Sequence, residues 1–256
     1  MHILVTNDDG VFAPGLLALA NALREVGDVS IVAPDRNWSA SGHVKTLSRP
    51  LRAKKVSLAD GSEALACDGA PSDCVALPVM GLLDKPIEMV VSGINPNANL
   101  GHDVTYSGTV TAAMEAAIWD LPGIGVSLDA PEYNSRGLDY TTAARVAAII
   151  AKKVWENKLP NNTLLNVNVP YCSMEELKGF KMTRQGLRVY RDELVQREDP
   201  QGKPYYWIGG EAPSGIPEDG TDIGALSENY VSVTPLTLDL TAYDLFKEIG
   251  DWGFKK

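Results

Sequence analysis

The sequence predicts an α/β fold: a three-layer α/β/α, Rossmann-like domain with a mostly parallel sheet, extended at its C-terminal side by a β-hairpin or arm. Three observations predict it. Residues 2–34 read as a strand, a loop, a helix and a second strand, the βαβ unit that joins parallel neighbours. That alternation recurs as far as residue 170, and repeated alternation places helices on both faces of one sheet. After about residue 180 the texture changes to strand-like pieces separated by Gly/Pro-rich loops.

Each element has its own signal. Residues 2–6 are a short β-rich run broken by Asn7-Asp8-Asp9-Gly10. Pro14 opens a helical pattern in which Leu16, Leu19, Ala20 and Leu23 share one face, the i, i+3, i+4, i+7 spacing of an amphipathic helix. Residues 29–33 form the second strand, closed by Pro34. Residues 44–67 alternate polar and apolar positions and predict antiparallel strands at one edge. A helix is expected over 71–82, a strand over 89–92, a long loop over 93–107 and an Ala-rich helix over 109–119. A strand at 125–128, a long helix over 137–156 and a strand at 164–169 complete the main domain, which we bound at residues 1–180. The extension, 181–256, has strand-like pieces at 181–184, 205–209 and 230–234. Residues 185–208 read as an extended hairpin, 210–224 as an irregular loop and 243–252 as a terminal helix. Some of these strands are expected to return to the main domain.

Bulk properties narrow the function. The chain has 256 residues, of which 45% are hydrophobic and 22% charged, with a formal net charge of −10. That is apolar enough for one large core. The acidic balance disfavours a nucleic acid duplex or an anionic membrane as partner. The three cysteines contain no C-x-x-C pair, and the three histidines form no metal motif, so neither a disulfide framework nor a zinc ribbon is expected. The N-terminal text meets an acidic pair by residue 8, unlike a signal peptide. No apolar run approaches the ~20 residues of a membrane helix. The expected setting is cytoplasmic.

Four segments carry chemistry, three of them at strand ends, where ligands gather in parallel α/β sheets, and the fourth at a helix start. Asp8 and Asp9 follow the first strand. Adjacent carboxylates repel unless a cation neutralises them, and hard divalent cations take oxygen ligands; the same four residues also suit a solvated turn. Residues 34–43, PDRNWSASGH, follow the second strand and offer the Ser39 hydroxyl, beside Trp38. Residues 92–103, SGINPNANLGHD, are crowded with Asn and Gly and place Asn95 just past a strand; a loop this long is more often functional than accidental. Ser107-Gly108-Thr109 leads into the Ala-rich helix, with Ser107 as N-cap. Free N–H groups and the helix dipole favour an anion there.

Other phosphate and nucleotide devices are missing from the text. There is no G-x-x-x-x-G-K-[ST], no G-x-G-x-x-G after a strand and no G-x-S-x-G, which argues against a P-loop, a dinucleotide fingerprint and a nucleophile elbow.

Together these segments resemble the SurE family, the stationary-phase survival protein nucleotidases. The matching residues are Asn7-Asp8-Asp9-Gly10 with Ala13-Pro14-Gly15, the PDRNWSAS run at 34–41 and the block over 92–115. Asp68-Gly69, Pro71, Asp73-Cys74-Val75, the LNVNVP run at 165–170 and Gly220-Thr221-Asp222 also match. The chain departs at Asn97, where the family has Gly, and at Ala116, where Gly usually follows the glutamate.

The resemblance implies that Asp8, Asp9, Ser39 and Asn95 hold one divalent ion per subunit, Mg²⁺ or Mn²⁺. It implies that Ser107, Gly108 and Thr109, with Asn95, line a phosphate site. It also implies hydrolysis of nucleoside 5′- and 3′-monophosphates, short polyphosphate as a further substrate, and a homodimer or homotetramer exchanging C-terminal arms. Catalysis would fall to Asp8 and Asp9, one of them orienting a water; an aspartyl phosphate on Asp8 is the alternative course. A nucleotide- or phosphate-binding regulatory protein on the same fold is the alternative function.

Overall fold

A nine-stranded sheet forms the middle layer. The computed structural model describes residues 1–131 and 137–254. The strands of the sheet are β1 (His2–Thr6), β2 (Asp28–Pro34), β3 (Ala53–Ser57), β4 (Glu63–Cys67), β5 (Met89–Asn95), β6 (Gly123–Asp129), β7 (Thr163–Pro170), β8 (Phe180–Met182) and, after the hairpin pair β9 (Arg188–Glu198) and β10 (Pro204–Gly215), β11 (Val231–Thr237). Their order across the sheet is β3-β4-β2-β1-β5-β6-β7-β11-β8, and β9 and β10 form a separate antiparallel ribbon. The strands from β4 to β7 are parallel. The predicted antiparallel edge is β3 on β4. The other edge is also antiparallel: β11 runs against β7, and β8 lies parallel to β11.

Helices cover both faces, as the alternation requires. α1 (Pro14–Leu23) and α4 (Thr141–Asn157) pack against each other on one face, and α2 (Pro71–Leu77) and α3 (Gly108–Ile118) on the other. β1 shows why its sequence is continuously apolar: Ile3 and Val5 join the cluster under α1 and α4, while Leu4 joins the one under α2 and α3. A strand buried on both faces loses the polar positions a half-exposed strand would keep. On α1 the predicted stripe is fully buried, with Leu16, Leu19 and Leu23 each at 0% exposure, worth roughly 1.5–3 kcal/mol apiece.

β1 is the point where the chain changes direction across the sheet. From β1 the chain moves to β2 on one side, and β5, β6 and β7 build the other. Such a switch point leaves a crevice at the strands' carboxyl ends. The connection through α4 has a further property. α3 joins β5 to β6 and α4 joins β6 to β7, the same lateral step, yet the two helices lie on opposite faces. The two crossovers therefore have opposite hands. α1, α2 and α3 share one hand, the right-handed one of ordinary βαβ units, and α4 takes the other.

Several boundaries differ from expectation. The helix over 71–82 ends at Leu77 and is followed by a π-helical turn, Pro78–Leu82, because Pro78 cannot donate a helical hydrogen bond. The loop over 93–107 is partly ordered: β5 extends to Asn95 and a 3₁₀ turn spans Gly101–Thr105. The long helix begins at Thr141, not 137. The hairpin runs later than 185–208, with β10 reaching Gly215 inside the segment read as a loop. That segment also holds the start of α5 (Asp222–Ser227). Of 181–184, only β8, at Phe180–Met182, is strand, and Arg184 makes an isolated bridge to Thr221. The terminal helix is a 3₁₀ turn, Tyr243–Leu245, followed by α6 (Phe246–Gly250). Among the described residues no helix is long and apolar enough to cross a membrane.

Candidate active site

The turn after β1 is held by Asn7. Its side chain donates to the Gly10 carbonyl at 3.1 Å and accepts from the Gly10 N–H at 3.2 Å. This two-sided clamp fixes the backbone of Asp8 and Asp9 between its ends. The Asp8 carbonyl then accepts from the Trp38 N–H at 2.7 Å, which stitches the loop after β2 to the same place. Gly93, with φ of +135°, sits where the β5–β6 register shifts; a Cβ there would lie 2.3 Å from the Val126 carbonyl oxygen. The glycine thereby delivers Asn95 at the end of β5.

Asp8, Ser39, Asn95 and Ser107 line one shallow cleft of about 270 Å³ at the carboxyl ends of the strands. Four segments far apart in sequence thus reach the crevice beside β1. Asp9 does not line that cleft, and neither do Gly108 and Thr109. Thr109 stands behind Asp8, its hydroxyl donating to Asp8 Oδ1 at 2.5 Å. Gly108 is pressed against the same carboxylate: a Cβ on it would meet Asp8 Cβ at 2.6 Å. Ser107 caps α3, its Oγ accepting from the Val110 N–H at 3.1 Å.

The electrostatics are those of a site short of positive charge. Burial raises the Asp8 carboxyl above the usual carboxylate range, against the Thr109 hydroxyl and the backbone N–H groups of Gly108 and Thr109, which favour its charged form. Burial, and then the charge of Asp8, pushes Asp9 up to about 7. Two neighbouring acids that resist ionising together are relieved by a cation between them. Among the described residues no group of three or more His, Cys, Asp or Glu side chains is placed to hold a metal, so any metal here leans on hydroxyl and amide oxygens as well as carboxylates.

Neither departure from the family pattern carries backbone strain. Asn97 is outside the left-handed region that would favour glycine, and its carbonyl accepts from Asn95 Nδ2 at 2.5 Å. Ala116 is fully buried within α3.

Spacing alone did not reveal several supporting residues. Asn99 anchors the loop beyond Asn95. Its N–H donates to Asn168 Oδ1 at 2.8 Å and its side chain to Ser127 Oγ at 2.8 Å, while its carbonyl accepts from Asn166 and Asn168. The signal was present as two asparagines two apart in a strand buried from Leu164 to Pro170. Glu115, 2% exposed on α3, accepts from Lys45 at 2.7 Å and Trp119 at 2.9 Å and faces His43 at 3.1 Å. It ties the loop that carries Ser39 to the helix that carries Ser107. Arg188 and Pro213, from the base of the hairpin, complete the cleft wall; no spacing in the sequence points to them. Trp38, beside Ser39, does not line the cleft and packs under the Arg36 guanidinium at 5.1 Å.

A larger cleft of about 480 Å³ lies at the opposite end of the sheet, between Glu88, Asp120, Trp155 and Lys158. It contains none of these groups, and volume alone does not make it the reactive centre.

The profile of the family described as "Survival protein SurE" matches residues 3–192. The chain belongs to the SurE family. A protein named 5′-nucleotidase SurE from Herpetosiphon aurantiacus is 55% identical over 250 residues, covering 98% of this chain and 97% of that one. Another of the same name from Chloroflexus aggregans is 52% identical over 255 residues, covering 100% of each. The crystal structure of the SurE protein from Aquifex aeolicus matches with a TM-score of 0.82 at 42% identity, over 98% of this chain and 99% of that one. In this SurE chain the Asn7 clamp, the Asn99 anchor and the Glu115 tie hold in place the segments that bring Asp8, Ser39, Asn95 and Ser107 to the cleft.

Proposed function

We propose that this chain is a divalent-metal-dependent phosphomonoesterase, a 5′-nucleotidase that releases phosphate from nucleoside 5′-monophosphates, with 3′-monophosphates and short polyphosphate as further substrates. One observation carries it: Asp8, Ser39, Asn95 and Ser107 converge on a single cleft at the sheet's switch point. Full-length relatives named 5′-nucleotidase support the substrate class.

The donor set fits one Mg²⁺ or Mn²⁺. It is all oxygen, and the raised Asp8 and Asp9 carboxyls mark a place that favours added positive charge. Asp8, Asp9, Ser39 and Asn95 would hold the ion; Asn95 commits its NH₂ to Asn97 and keeps its carbonyl oxygen for a ligand. When bound, the ion supplies charge neutralisation for the phosphate and a more acidic water. The chain supplies the rest. Thr109 holds Asp8 in one rotamer. The first turn of α3 faces the phosphate oxygens with Ser107 and, once Asp8 is neutralised, with the Gly108 and Thr109 N–H groups. One of Asp8 and Asp9 would orient the attacking water and take its proton.

The oligomer reading is a dimer or tetramer formed by exchange of C-terminal arms. Its support is the hairpin's exposed apolar surface, with Leu194 at 73%, Trp207 at 63% and Ile208 at 85% exposure; patches of this kind mark association surfaces.

The test is phosphate release from a panel of nucleoside monophosphates after EDTA, with Mg²⁺ or Mn²⁺ returned. Release should vanish with chelation and return with metal, and Asp9→Asn should abolish it. Full metal-dependent activity in Asp9→Asn would remove the metal site, and nucleotide binding without release under any metal would leave a binding protein.

A further inference from the structure

We propose that Arg188, together with Tyr106, forms the wall of the cleft that receives the nucleobase and so selects nucleotides over phosphate esters without a base. The inference rests on the nucleotidase reading. Among the described residues lining the cleft, Arg188 is the only cationic side chain. It comes from the base of the hairpin, outside the four segments that bring the oxygen ligands.

Its guanidinium is fixed. Nε donates to Asp103 Oδ2 at 2.6 Å and Nη1 to the Pro213 carbonyl at 3.1 Å. Asp103 Oδ1 accepts from the Tyr190 hydroxyl at 2.6 Å, so both carboxylate oxygens are engaged. The backbone behind Arg188 is held as firmly. The fully buried Asp222 accepts from the Gly101 N–H at 2.8 Å and the Gly186 N–H at 2.7 Å, and Gln185 donates to the Gly101 carbonyl at 2.9 Å. The hairpin base is thereby locked to the 3₁₀ turn that carries Asp103.

This arrangement suits a base better than a phosphate. Asp103 already balances the Arg188 charge at 2.6 Å, which leaves little net attraction for a dianion. What remains is a rigid planar cation with free Nη2 hydrogens. Arginine planes stack on nucleobases and donate to their edges. The Tyr106 ring, 62% exposed on the same cleft, adds a second stacking surface. Stacking of this kind is worth on the order of tenfold in affinity.

The experiment compares the intact chain with Arg188→Met and Arg188→Lys, using adenosine 5′-monophosphate and ribose 5-phosphate with added divalent metal. It reads kcat, KM and, independently, equilibrium binding by calorimetry. Arg188→Met should raise KM for the nucleotide about tenfold, with kcat and the ribose 5-phosphate values within about twofold. Arg188→Lys should recover little, because an ammonium has no plane. Equal losses on both substrates would assign Arg188 to phosphate binding or structure and overturn the proposal, as would an unchanged nucleotide KM. If the intact chain releases phosphate from neither compound, binding decides. Selective weakening of nucleotide binding in Arg188→Met keeps the wall and removes the enzyme; indifferent binding removes the wall.

Discussion

Glu115 concentrates the electrostatics of the site's outer frame in one side chain. Burial alone would raise its carboxyl, but hydrogen bonds from His43, Lys45 and Trp119 outweigh burial and bring it down to about 2 from a free value of 4.5. A depressed folded value means the stabilisation is complete above about pH 4.5 and is withdrawn as pH falls toward 2. Discounted for the partly exposed Lys45 and His43, it is on the order of 2 kcal/mol. Glu115→Gln should therefore be less stable than the parent at pH 7 in denaturant unfolding, with the gap narrowing below about pH 4.5 and closing as pH approaches 2. A gap independent of pH would show that packing, and not charge, is what Glu115 supplies. At this scale the sequence was legible where residues repeat a family pattern: Asp8, Ser39, Asn95 and Ser107 meet at one cleft. It did not reveal what Asn99, Asn166 and Asn168 do, since their value lies in hydrogen bonds between loops and strands that spacing does not show.

Among the elements, α3 is placed most tightly against the site. Its first residue, Gly108, is glycine because Asp8 occupies the space of a Cβ. The carboxylate of Asp8 is the neighbour that demands it. Gly108→Ala must displace either Asp8 or the first turn of α3, and 1 Å at a reacting centre can cost about 100-fold. The expected outcome is a loss of kcat of that order, with a far smaller change in melting temperature, read by steady-state kinetics and calorimetry; near-parental kcat would show that the turn can shift freely. The stripe on α1 was readable because burial follows a 3.6-residue period. The ends of α2 and β10 were not, because a π turn after Pro78 and a strand rich in Gly and Pro leave no such period.

For the whole molecule, the hairpin is an insertion whose ends are pinned together by the Ile216 N–H on the Leu187 carbonyl at 3.2 Å. Shortening it at the Asp192–Gly210 pair, with a two-residue turn, keeps Arg188 and Pro213 and removes the exposed Trp207 and Ile208. The shortened chain should fold with parental circular dichroism and fall to monomer mass in light scattering; an unchanged oligomer would refute arm exchange through the hairpin. Fold class was legible because alternation of strands and helices dictates layers. The hand of the α4 crossover was not, since local patterning is the same for either hand and the usual preference points the other way.

The position of β11 has a consequence for how the molecule is made. β11 lies between β7 and β8, and within the sheet β8 pairs only with β11. As the polypeptide leaves the ribosome, β7 therefore presents an unpaired edge until residues 231–237 emerge. Through that interval the growing chain carries the type of edge that invites pairing between molecules, and β11 is the seal.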